Sequence, residues 1–173
     1  MDLYDFMNHE SLGGGEADPR YPNRRGSSVW GWVGPKGRQI GLIGQHTGQF
    51  CYGYPSWQLR ANTGTGTAFV EIDKKGKLTY LGRLPAQDPL GSSWREIRVL
   101  NNLAIIGSEA VGHNVQIFDL NKVAAIDPKS PVTFDATTDL EGLFDDLPIG
   151  RAHNVSLTLS GVRGYYSHAR HTC

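Results

Sequence analysis

The chain has 173 residues, a formal net charge of zero and 20% charged side chains, which leaves no electrostatic case for nucleic acid or an anionic membrane surface as a partner. Its 22 glycines and 9 prolines suit a turn-rich β protein better than a helical one, and its length allows one domain with a real core. Two cysteines, Cys51 and Cys173, make no disulfide framework, and no apolar run is long enough to span a bilayer.

Residues 1–26 read as a flexible leader. The acidic start, with Asp2 and Asp5, has no basic region followed by an apolar core, so no signal peptide is expected. Gly13-Gly14-Gly15 lacks both the Gly-Lys-Ser/Thr and the preceding strand of a phosphate loop. Arg24-Arg25 is too short to be a nucleic-acid patch.

A first unit, 27–85, contains strand-like runs at 27–33, 40–44, 68–73 and 78–84. A second follows the same order. Residues 94–100 alternate, with Trp94, Glu96 and Arg98 on one face and Arg95, Ile97 and Val99 on the other. Asn101-Asn102 is a turn pair, because Asn tolerates positive φ. The apolar run 103–107 predicts a strand covered on both faces. Gly112-His113-Asn114 turns the chain into a strand at 115–120, residues 120–126 are the best short helix candidate, and 131–134 is the expected fourth strand.

The two units echo each other, Ser27-Ser28-Val29-Trp30 against Ser92-Ser93-Trp94-Arg95 and Ile40-Gly41-Leu42-Ile43-Gly44 against Ala104-Ile105-Ile106-Gly107. A third begins near Gly150, and His113-Asn114-Val115 recurs as His153-Asn154-Val155. A lone small sheet cannot stand in water, so the units must stack. Repeats of a few strands with a period of about 40–50 residues mean propeller blades or a related array. The fold expected is all-β: antiparallel meander repeats of an incomplete β-propeller-like domain over 27–155.

Two segments break the rhythm. Residues 49–66, with Phe50, Tyr52, Tyr54 and Trp57, stretch the first unit beyond a blade's length. Deleting them joins His46-Thr47-Gly48 to Thr67 in a short hairpin, so the segment is expected to be an insertion, read here as an unspliced intron. The other reading is a long loop with an aromatic contact surface. The tail 156–173 is expected to be irregular, with the chain stopping in mid-repeat as a truncated gene product.

Few residues could carry chemistry. Glu109, His113 and His153 sit on loops that would meet at one end of a propeller channel, where a metal or small polar ligand could bind. The simpler expectation is that they tie loops together through backbone groups. His168, His171 and Cys173 have short metal-ligand spacing but no fourth ligand, so a plain tail is expected. Glu96 could serve as a general acid or base only if buried beside another carboxylate, and an ion pair with same-face Arg98 is simpler. Asp139, Glu141, Asp145 and Asp146 lack the order of a calcium loop and read as a solvated loop. No catalytic nucleophile is indicated.

Taken jointly, Trp30-Gly31-Trp32, 66–72, Leu81-Gly82-Arg83-Leu84-Pro85, 93–99, 106–113, 116–120 and Gly150-Arg151-Ala152-His153-Asn154-Val155 resemble one family. It is the LVIVD-repeat, choice-of-anchor B group in its fungal form, over 27–48 and 67–155. The resemblance implies a β-propeller-like domain about twice this length, secreted or anchored at the cell surface, with no settled enzymatic activity. The expected function is therefore a non-catalytic, extracellular-type binding or scaffold protein. Its partner is an unknown protein or small molecule, it needs no cofactor, and it has no membrane span. The alternative is a metal-dependent enzyme using Glu109, His113 and His153.

Overall fold

The computed structural model describes residues 3–14, 26–45, 66–87, 92, 94–158 and 161–165. Cys51, His168, His171, Cys173, nearly all of the 49–66 insertion and most of the tail lie outside the described residues. The fold is all-β. Eleven strands are described, β1 (Gly26–Val33), β2 (Gln39–Gln45), β3 (Gly66–Ile72), β4 (Leu78–Pro85), β5 (Arg95–Leu100), β6 (Leu103–Ser108), β7 (Val115–Asp119), β8 (Val132–Thr133), β9 (Gly142–Phe144), β10 (Asn154–Thr158) and β11 (Gly161–Tyr165). One helical turn, α1 (Asn121–Ala124), falls inside the predicted 120–126.

They form three sheets, ordered β1-β2-β3-β4-β8, β5-β6-β7-β9 and β10-β11. Each begins with antiparallel neighbours joined in chain order, the first two across a Gly-Pro-Lys-Gly turn and an Asn-Asn turn. Asn101, at the predicted β5–β6 turn, has φ 55. Gln45 stands opposite Gly66 in the β2–β3 ladder, so the chain between them leaves and rejoins the sheet at neighbouring points.

Packing explains why sheet 2 is so apolar. Ala104 and Ile106 of β6 turn toward sheet 1, joining Ile97 and Phe118 against Trp32, Ile40, Leu42, Phe69, Leu81 and Leu84. Ile105, between them in sequence, faces the other way and packs with Val115 of β7 and with Ala152 and Val155 of the third unit. The 103–107 run is thus covered on both faces, as a period of two requires. Phe69 of sheet 1 stacks on Phe118 of sheet 2 at 5.5 Å between centroids, and Phe134 meets both edge-on.

Four expectations need correction. The tail expected to be irregular from residue 156 instead supplies the end of β10 and all of β11, which pair antiparallel as sheet 3. The 131–134 strand does not complete sheet 2: β8 pairs in parallel with β4 of sheet 1. Gly82 permits this, since a Cβ there would lie 2.0 Å from the Val132 carbonyl oxygen, and Phe134 is carried into the inter-sheet aromatic cluster. Sheet 2 instead takes its fourth strand, β9, from within 139–146, the segment read as a solvated loop. Finally, the leader is not free of the sheets over 3–14. Leu12 is buried with Ala68 and Val70 on the outer face of sheet 1, and its carbonyl accepts from Gln45 Nε2 at 2.9 Å. Asp5 accepts the Leu78 N–H, so the leader covers an apolar face that would otherwise be wet.

Candidate functional site

The candidate residues lie where one sheet meets the next, and the junctions are built from short polar side chains. β1 carries a bulge between Gly26 and Val29, with Ser28 at φ 66. A bulge spoils the alternation of side chains, so Ser27 and Ser28 both reach β5. The Ser27 hydroxyl accepts the Arg95 N–H at 2.8 Å and donates to the Arg95 carbonyl at 3.2 Å. Ser28 accepts the Ile97 N–H, and Trp32 Nε1–H donates to the Asn101 carbonyl. These bonds occupy backbone polar groups on the first strand of sheet 2 and in the turn that follows it.

His113 closes the same end of sheet 2 and is fully buried. Its Nδ1 lies 2.8 Å from the Asn114 carbonyl oxygen and its Nε2 lies 3.0 Å from Nη1 of Arg95. A guanidinium can only donate and a carbonyl can only accept, so the ring carries its proton on Nδ1 and accepts at Nε2. Burial, and next the Arg95 charge, push its pKa down to about 3, against a smaller upward pull from the Asn114 carbonyl. His113 is therefore neutral at pH 7 with both nitrogens engaged.

Glu109 and His153 are brought together across the next junction. Glu109 Oε1 meets His153 Nδ1, while Arg151 Nη2 stands 4.0 Å from Oε2. Backbone bonds frame the pair. Gly112 N–H donates to the Ile149 carbonyl, Asn114 N–H to that of Gly150 at 2.7 Å, and Ala152 N–H to that of Ser108 at 2.8 Å. Glu109 is buried, whereas the His153 side chain is 42% exposed. The structure thus unites Glu109 with His153 and commits the His113 ring to Arg95 and Asn114.

Arg95 is the residue that sequence reasoning passed over. It is buried beside His113, and its signal was present, a charged residue on the Ile97 and Val99 face of an alternating strand. Glu96 pairs with Arg98, whose guanidinium lies 4.7 Å from the Trp30 ring centroid. Glu141 pairs with Lys122 at 3.0 Å. Among the described residues, no three His, Cys, Asp or Glu side chains are grouped to hold a metal ion, and no helix is long and apolar enough to cross a membrane.

No protein-family model, curated protein or solved structure matches this chain.

Proposed function

We propose that the chain is a non-catalytic binding or scaffold protein, an array of β-propeller-like sheets of the LVIVD-repeat, choice-of-anchor B kind that works outside the cell. The observation that carries this reading is the use to which the polar candidates are put. Ser27, Ser28, Glu109 and His153 use hydrogen-bonding groups to join one sheet to the next, and the His113 ring and the Arg95 guanidinium bond each other inside the second unit. The propeller-like arrangement draws support from the first strands of the three sheets, since β1 lies against β5 and β5 against β10. In such an array the loops at the sheet ends are the surfaces left to meet a protein or small-molecule ligand.

Elemental analysis of the purified full chain, with thermal unfolding in the presence and absence of EDTA, separates this reading from a metal-dependent enzyme. The expected result is no stoichiometric divalent metal and an unfolding midpoint that the chelator leaves alone. Stoichiometric metal that disappears in His153→Ala and Glu109→Gln would place the chain in the enzyme class.

A further inference from the structure

Asn154-Val155-Ser156 is the only Asn-x-Ser/Thr triplet without proline at its centre in the sequence, and it opens β10. Alternation along the strand turns Val155 into the core with Ile105, Val115 and Ala152. Asn154 and Ser156 fall on the opposite face. Asn154 is exposed and Ser156 half-buried, and among the described residues the Asn154 carboxamide makes no hydrogen bond. Asn154 stands at the first position of its strand, beside exposed His153.

We propose that Asn154 is an acceptor for an N-linked glycan. The co-reactant is a lipid-diphosphate-linked oligosaccharide. A bond forms between Asn154 Nδ2 and the anomeric carbon of the first sugar, the bond from that carbon to the diphosphate oxygen breaks, and the lipid diphosphate leaves with the electron pair. Nδ2 gives up one proton to solvent, and no oxidation change occurs. The Ser156 hydroxyl supplies the recognition group that the triplet requires. The glycan would stand over the Glu109–His153 junction and make the outer end of sheet 3 polar.

This proposal rests on the reading of the chain as exported, and two experiments keep the two apart. In the first, the full chain is translated behind an added, cleavable secretion signal in the presence of eukaryotic microsomes. Protease protection reports translocation, and gel mobility before and after peptide-N-glycosidase reports the glycan. Protected chain should lose the mass of one glycan on digestion. Asn154→Gln and Ser156→Ala should show no shift, and Ser156→Thr should restore it. Transfer precedes folding, so a variant that folds poorly still reports. Protected chain without a shift, or a shift that persists in Asn154→Gln, overturns the proposal. In the second, the protein made by its own cells from its own transcript is sought in medium and lysate. Unglycosylated protein confined to the lysate would overturn the export reading while leaving the acceptor result intact.

Discussion

His113-Asn114-Val115 and His153-Asn154-Val155 are the same three residues at the same kind of place, the entry to a strand, and their environments have little in common. Both valines are buried, at 3% and 1% exposure, because each is the first inward residue of its strand. The histidines part company. The His113 ring lies under Arg95 with both nitrogens engaged, whereas His153 is exposed and leans on a carboxylate. The asparagines differ in turn: Asn114 takes φ 60 and its amide bonds the Gly112 carbonyl, while Asn154 sits in extended backbone with its amide outward. A tripeptide fixes the pleat, but the layers above and below it decide whether its polar atoms become structure or surface.

The comparison breaks most sharply if both imidazoles are removed in turn. His113→Ala leaves a cavity and a buried guanidinium short of one acceptor, and should cost about 3 kcal/mol or more in urea unfolding. His153→Ala removes an exposed partner from one carboxylate and should cost less than about 1 kcal/mol. Equal losses would show that burial is not what separates them.

Acid offers the next test. The folded His113 ring binds its proton far less tightly than the unfolded ring, about 3 against an ordinary 6.5. As pH falls the unfolded chain takes up the extra proton first. The stability that His113 contributes is thus complete above about 6.5 and is lost progressively from there towards about 3. Near pH 5 the loss should be about 2 kcal/mol, and the slope should vanish in His113→Gln.

A smaller effect is expected where the two phrases are tied together. Gly150 has φ 65, and a Cβ there would come within 2.7 Å of Gly112 Cα, so Gly150→Ala should destabilise by about 1–2 kcal/mol. Ile149 beside it, at φ 53 and exposed, is a β-branched residue in a conformation it disfavours. Ile149→Asn should raise the thermal midpoint slightly, since Asn accepts that backbone and little apolar burial is lost.

Most strands were legible because alternation and turn chemistry are local. The 103–107 run announced burial on both faces, whereas Arg95, an inward charge on an alternating strand, carried a signal that was passed over. What could not be read was which sheet a short segment joins. β8 carries two residues, too few for a periodicity, and its partner was decided by a glycine on β4 and an aromatic anchor at Phe134. The docking of Leu12 escaped for the same reason, since one apolar residue among polar neighbours carries no pattern. At the site, the sequence named Glu109, His113 and His153 but could not say which two would meet, because that depends on how the third unit lies across the second.

The central claim is that these residues are structural fastenings, His113 within sheet 2 and Glu109 with His153 between sheets 2 and 3. Imidazole nitrogen NMR of the full chain, with His113 assigned by comparison with His113→Gln, tests it most directly. The account predicts a neutral His113 with its proton on Nδ1, unchanged between pH 8 and 5 and unmoved by added zinc. A His113 ring that titrates near 6.5, or whose Nε2 resonance shifts on binding zinc, would contradict it.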